Sequence, residues 1–296
     1  MHDGPPWDQT ARAIKAMGFG STEFIGMSSE ELDSYWLPHA ASLRQQCEDI
    51  ELSISQFAVF HSITAELLNP DQRLRQGVLN DLRKAAAVSA ELGANQLNFV
   101  APWPYGIVPP DGGHWYIPRN YYVNDAGGAP KLAMSLPEAQ LIGDRVWDDW
   151  VSVVRQVVEN CKAEGAVFAV ENHPMTMVSN TDAYLRLWDH VKDPALAISL
   201  DTGWLSLTRE YLPTAILRLS GHLRHLQLRD IDGFAKGFSV PGLGVIDFAG
   251  LASTLRAIGY QGDVNIELSK DEGYFEDRSD VVPFSRALIQ KHFDKI

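Results

Sequence analysis

The sequence predicts an α/β barrel of the (β/α)8 TIM type, read as one domain over residues 1–296. Three observations carry this expectation. Short β-rich apolar segments alternate with amphipathic helical segments to the end of the chain, the pattern of a parallel sheet covered by helices. Four late strands in succession end in an oxygen donor: Glu171, Asp201, Gln227 and Glu267. Neither GxGxxG after the first strand nor a GxxxxGK[ST] phosphate loop occurs. An open doubly wound sheet would string four such strand ends along a line, whereas a closed barrel brings them to one mouth, where barrel enzymes act.

The elements follow in order. "WDQTARAIKAMGFG" has helical spacing of apolar residues and ends at glycines, as helices often do. "STEFIG" reads as a short strand, and "SSEELDSYWLPHAASLRQQCED" as a helix whose polar start caps it. "IELSISQFAVF" is a strand, "DQRLRQGVLNDLRKAAAVSAELG" a long amphipathic helix, and "ANQLNFVAP" the next strand. A long loop leads to the helix "SLPEAQLIGDRVWDDWVSVVRQVVENCKAEG". Then come the strand "AVFAVEN", the helix "TDAYLRLWDHV", the strand "ALAISLD", the helix "YLPTAILRLSG" and the strand "LRHLQLRD". "DFAGLASTLRAIGY", "GDVNIELS" and "DRSDVVPFSRALIQKHF" complete the alternation as helix, strand and helix. Seven strands are counted this way. None precedes "WDQTARAIKAM", although an eight-stranded barrel needs one, so the first strand is expected to be missing or irregular and the barrel open between its first and last positions.

Composition narrows the class. The chain has 296 residues, 45% hydrophobic and 21% charged, enough for a substantial core in a soluble protein. Its net charge of −13 disfavours a nucleic-acid or anionic-membrane partner. Cys47 and Cys161 form no CxxC pattern, which argues against a disulfide framework or a thiolate zinc site. No apolar run approaches the ~18 residues of a membrane span. "MHDGPPWDQT" is not a signal peptide, and the reading is cytoplasmic.

Five segments, "FAVENHP", "ISLDTGW", "HLQLRD", "VPGLGVIDF" and "VNIEL", taken in this order, resemble the sugar-phosphate isomerase/epimerase family, the xylose-isomerase-like TIM barrels. The resemblance covers most of the chain and is strongest from Glu171 to Glu267. It implies a divalent metal at the barrel mouth, held by a glutamate, an aspartate, a histidine and a glutamate. Glu171, Asp201 and Glu267 match three of these; Gln227 stands at the histidine position. The family pattern often reads DTGH where this chain has Asp201-Thr202-Gly203-Trp204. A glutamine oxygen beside three carboxylates makes an all-oxygen site, which suits Mn²⁺ or Mg²⁺ better than Zn²⁺. The resemblance also puts His173 near the substrate and makes Glu171 and Glu267 the proton-moving pair, with His173 as the competing base. A lone acidic residue at a strand end is more often a cap or a surface group; the ordered set is what turns the reading toward a metal.

Trp103, His114, Trp204, His225 and Arg229 are the expected substrate-binding residues. Trp204 offers a flat face to a ring. His225 lies two residues before Gln227 and so on the same strand face, where it either meets substrate or fills a barrel layer. "PGLGVIDF" reads as a loop and helix start, with Asp247 as cap rather than as part of a phosphate cradle. Residues 101–135 form a long loop rich in aromatics, Pro and Gly, expected at the mouth after its strand. Its tryptophans and tyrosines suit either a pocket or a subunit interface, in keeping with a homo-oligomer or a complex with a second subunit.

The functional expectation is a divalent-metal-dependent isomerase or epimerase of a sugar or keto-sugar, working through an enediolate. The alternative is a metal-dependent lyase on a keto-sugar, either a dehydratase or the catalytic subunit of a C-glycoside deglycosidase. A non-catalytic barrel subunit is a third class, which the Gln227 and Trp204 departures keep open. A DNA-repair endonuclease of the same barrel type would want a basic face and more metal-binding histidines.

Overall fold

The computed structural model describes residues 6–104, 144–233, 238–268 and 281–293. Helix α1 (Trp7–Ala16) precedes the first strand, β1 (Ser21–Gly26). It is held there by aromatic packing: Trp7 lies 5.9 Å from Phe24 and 5.2 Å from Trp36, which in turn meets Phe57 at 4.8 Å. All four rings are buried. Ser28 caps the next helical stretch by accepting the Glu31 N–H, while the Glu31 carboxylate accepts from the N–H of Met27, one residue before the cap. That stretch runs as α2 (Ser29–Glu31), a π-helical turn (Leu32–Trp36) and α3 (Leu37–Asp49).

The alternation then proceeds through β2 (Ser53–Val59), α4 (His61–Thr64), α5 (Gln72–Glu91), β3 (Gln96–Val100), α6 (Asp144–Ala163) and β4 (Val167–Glu171). It continues with α7 (Thr181–Val191), β5 (Leu196–Asp201), α8 (Thr202–Leu207), α9 (Leu212–Leu219) and β6 (Leu223–Leu228). A small antiparallel hairpin, β7 (Asp230–Ile231) with β8 (Phe238–Ser239), precedes α10 (Phe248–Ala257), β9 (Asp263–Ile266) and α11 (Val281–His292). The hairpin was not foreseen in the sequence. No helix among the described residues is long and apolar enough to cross a membrane.

Seven parallel strands form the sheet in the order β1-β2-β3-β4-β5-β6-β9, a nearly closed barrel. These are the seven strands read from the sequence. Strands β3 to β6 are buried along most of their length, as a strand covered on both faces must be. β9 is only half-buried. β1 and β9 stand at the two ends of the strand order, and the link between them is a side-chain contact, Ser21 Oγ to Asn265 Oδ1 at 3.5 Å. A cavity of about 400 Å³ opens at this seam, lined by Gly20, Thr22, Glu23, Val264, Asn265 and Arg286 among others. The barrel is thus irregular at the expected place, between its first and last strands.

Candidate functional site

Register sets the levels at which side chains meet. Asp201 pairs with Gln227, and Gln227 with Asn265, so these three stand at one height across β5, β6 and β9. Glu171 ends β4, opposite Ser199. Glu267 follows β9 directly, and its N–H donates to the Leu228 carbonyl at 3.1 Å, which carries the ladder one step further. The result is an acidic cluster at the C-terminal mouth: one carboxylate oxygen from each of Glu171, Asp201 and Glu267 lies within 4.8 Å of the others. Glu171 and Asp201 are buried.

Backbone clips fix this arrangement. Asn172 Oδ1 accepts the Asp201 N–H at 2.9 Å while its Nδ2 donates to the Asp201 carbonyl at 3.3 Å, tying the ends of β4 and β5 together. Asp201 is also the N-cap of α8, accepting from Trp204 N–H at 2.8 Å. Thr202 Oγ1 donates to the carbonyls of Gln227 and Arg229 and accepts the Arg229 N–H, which anchors β6. Asp230 accepts from the N–H groups of Ile231, Gly242, Gly244 and Ile246, pinning the loop after the hairpin. Gly242 there has φ +96°, and a Cβ on Gly244 would meet the Ile231 carbonyl at 2.2 Å, so both glycines are demanded by the backbone. Asp247 caps α10 through Gly250 N–H, as expected.

Arg229 is buried among these acids. Its Nε donates to Asp201 Oδ2 at 2.7 Å, and its Nη2 bonds Glu267 Oε1. Its guanidinium lies 4.7 Å from the Phe238 ring and 5.9 Å from that of Trp204. The expected substrate residue is therefore a counter-ion to two of the three carboxylates. Trp204, expected to offer a flat face to a ring, is only 5% exposed. Its ring packs against His173 at 4.3 Å and meets Phe238 edge-on at 4.6 Å. It is packed among His173, Phe238 and Arg229, at the start of α8.

His173 Nε2 lies 3.0 Å from Glu171 Oε1. A turn closed by Thr176, which donates its N–H and hydroxyl to the His173 carbonyl, holds it there. Burial first, then the charges of His61 and Arg229, push its imidazole well below the usual range. The competing base of the sequence expectation is thus an imidazole that stays uncharged. Glu171 moves the other way. Desolvation, followed by the charges of Glu267, Asp201 and Glu23, raises its carboxyl well above the usual carboxylate range, and Arg229 offsets part of this.

The other expected positions are spread out. His225 lies one layer below Gln227, with Nδ1 3.1 Å from Ser199 Oγ. It is a buried group of the barrel interior. Trp103 is half-buried just after β3; the preceding Pro102 carbonyl accepts the Met177 N–H, so the segment leaves β3 beside the end of β4. His114 and the rest of the 101–135 loop beyond Pro104 lie outside the described residues. Two residues of the site were missed in the sequence. His61 opens α4 and meets His173 edge-on at 6.0 Å. Glu23 on β1 accepts from Gln56 Nε2 at 2.7 Å and from Gln227 Nε2 at 3.3 Å. Its only sequence signal is a carboxylate on the inward phase of a short strand.

Two buried oxygens of this cluster, Gln227 Oε1 and Glu267 Oε2, have no hydrogen-bond partner among the described residues. Orphaned buried oxygens are costly unless a ligand meets them. With Glu171 and Asp201 they offer a hard, all-oxygen donor set, which fits a divalent cation.

The buried histidines predict acid lability. Burial pushes the imidazoles of His61 and His225 down to about 4, with the charge of Asp263 opposing this at His225. In the unfolded chain they titrate near ~6.5. Between these values the unfolded state binds the extra protons, so their contribution to stability is full above pH ~6.5 and is lost as pH falls toward ~4. The scale is about 3 kcal/mol for each histidine. Glu171 has the opposite sign, since its folded state holds the extra proton. Denaturant unfolding at pH 7 and pH 5 is expected to show a fall in stability that shrinks in His61→Gln; an unchanged fall would place the proton uptake elsewhere.

An αβ barrel with a buried acidic centre at its C-terminal mouth is the class that fold and site define. Residues 11–291 match the xylose isomerase-like TIM barrel family, and the chain belongs to it. It is 22% identical over 191 residues to the inosose dehydratase of Geobacillus thermodenitrificans (strain NG80-2), 58% of this chain and 62% of that protein. The chain thus matches about three-fifths of the length of that curated relative. Among solved structures it resembles D-psicose 3-epimerase in the presence of D-fructose, with TM-score 0.72 and 14% identity over 98% of this chain and 94% of that one. It likewise resembles 3-keto-D-glucoside 4-epimerase from E. coli, with TM-score 0.68 and 17% identity over 97% and 95% of the two chains. At such identities the structural likeness concerns the fold.

Proposed function

We propose that this chain is a divalent-metal-dependent enzyme, built as one barrel domain, that isomerises or epimerises a keto-sugar or related keto-polyol through an enediolate. The observation that carries this reading is the gathering of Glu171, Asp201 and Glu267 within 4.8 Å of one another, with Gln227 at the height of Asp201 and its buried Oε1 without a partner. These four residues would hold the metal, with Mn²⁺ or Mg²⁺ preferred. A dication bound there polarises a substrate's carbonyl and hydroxyl oxygens and acidifies the carbon between them. Glu171, at the end of β4, takes the proton from that carbon. Glu267 reaches the site from a different strand and returns a proton. His173 fixes Glu171 Oε1, and the wall of Trp204 and Phe238 excludes water beside it.

The second reading is a dehydratase. It is favoured by the sequence relatedness to an inosose dehydratase and by the His173–Glu171 contact, which offers a route for a proton to a leaving hydroxyl.

Metal-stripped protein is expected to be inert on keto-sugars and to regain turnover best with Mn²⁺ or Mg²⁺. Gln227→His is expected to shift the preference toward softer ions such as Zn²⁺. Best restoration by Zn²⁺ in the native protein would contradict the all-oxygen site, and undiminished turnover after stripping would remove the metal from the reading.

A further inference from the structure

A glutamine ligand raises a problem that an imidazole does not. Its side-chain amide has two ends of similar shape, and only the oxygen binds a cation. If the amide turned over, the –NH₂ would face the three carboxylates and hydrogen-bond to them. Something must set its direction.

The barrel interior contains such a device. Gln96 Nε2 donates to Gln56 Oε1 at 2.7 Å, and Gln56 Nε2 donates to Glu23 Oε2 at 2.7 Å. Gln227 Nε2 reaches the same carboxylate from β6, at 3.3 Å and 3.4 Å from its two oxygens. Gln56 and Gln227 are buried, and Gln96 is 7% exposed. A carboxylate can only accept, so each amide facing Glu23 must present its –NH₂. The Gln56 amide is locked by the bond from Gln96 and cannot offer its oxygen instead. His225 Nε2 stays 3.8 Å from Glu23, outside hydrogen-bond range. With its –NH₂ claimed, the Gln227 amide has its oxygen left over, and that oxygen is the buried atom without a partner.

We infer that Glu23 is a positioning residue that orients the Gln227 amide, turning Oε1 toward the cation seat formed with Glu171, Asp201 and Glu267. The inference rests on the proposed metal site and specifies how a glutamine serves there. Glu23 comes from β1, at the irregular seam of the barrel, and reaches Gln227 across 204 residues of sequence. A carboxylate at this place also adds a fourth negative charge near the seat. Its effect through charge alone must therefore be separated from its effect through orientation.

The separating experiment measures Mn²⁺ binding to metal-stripped protein by calorimetry. In E23Q the new amide can donate to Gln227 Oε1 and turn it away, so Mn²⁺ affinity is expected to fall about 10- to 100-fold, the scale on which residues behind a ligand are felt. The same substitution is then made in Q227E. A carboxylate ligand has two equivalent oxygens and needs no aiming, and it is relieved of repulsion when Glu23 is neutralised. There E23Q is expected to leave affinity unchanged or to raise it. A charge effect alone would weaken binding in both backgrounds and would overturn the inference. E23D keeps the charge and shortens the reach. It is expected to weaken Mn²⁺ binding as E23Q does, and it also serves if E23Q does not fold; native affinity in E23D would overturn the inference too. Native protein that binds no Mn²⁺ would sink the metal reading and this inference together. Native binding that is unmoved by E23Q would sink the orientation alone.

Discussion

Asp201→Asn is expected to release the metal and to lower turnover on a keto-sugar by at least ~10²-fold, since even residues behind a metal ligand are felt on the 10- to 100-fold scale. The fold should survive. Asp201 Oδ1 caps α8 through Trp204 N–H, and its Oδ2 receives Arg229 Nε. Asparagine keeps an oxygen for the cap and removes the charge that the cation and Arg229 share. Asp201→Ala is expected to fail in a second way. It removes the cap, at about 1 kcal/mol. Both substitutions break a buried ion pair from one side, which costs about 3–5 kcal/mol when the partner charge is left behind, so the cap is what separates their stabilities. Arg229 would then keep only Glu267 as its carboxylate partner among those described. Metal content by elemental analysis and thermal unfolding separate the two effects. Stoichiometric metal in purified Asp201→Asn would take Asp201 out of the ligand set.

The double duty of Asp201 shows which parts of this protein were legible in the sequence. The strands were, because a strand buried on both faces must be apolar along its length and must end where the chain meets solvent. "AVFAVEN" and "ALAISLD" therefore display both their burial and their polar ends. The Asp247 cap was legible for a related reason, since it acts on its own turn. The residues that govern the electrostatics of the site were not. Nothing in "HLQLRD" announces that Arg229 meets two carboxylates from elsewhere in the fold. Glu23, His61 and the burial of Trp204 depend on contacts between strands and turns far apart in the chain, and periodicity carries no such information. The irregular seam was anticipated only by counting strands against the eight that a regular barrel requires.

Turnover in D₂O is expected to give a product of unchanged formula carrying deuterium at the carbon beside the carbonyl. In the proposed mechanism two glutamates would supply the chemistry, Glu171 at the end of β4 and Glu267 after β9, whose carboxylates lie together. Glu171 is expected to start the reaction, on a carbon that a bound cation would acidify. His173 cannot compete on the same terms, since its imidazole is held well below the usual range, first by burial. Its place 3.0 Å from Glu171 Oε1 suits a hydrogen-bond partner that aims that carboxylate. Glu267→Gln keeps an oxygen at the seat and loses the acid–base function, so it is expected to retain metal while turnover falls about 10²- to 10⁴-fold. His173→Ala should cost less, through a less well-aimed Glu171. An elimination reads differently at every point: the product is lighter by one water, or cleaved, when followed by mass and NMR. If that product appears, and Glu267→Gln retains both metal and rate while His173→Ala abolishes turnover, the proton passes through the imidazole and the two-glutamate mechanism is wrong.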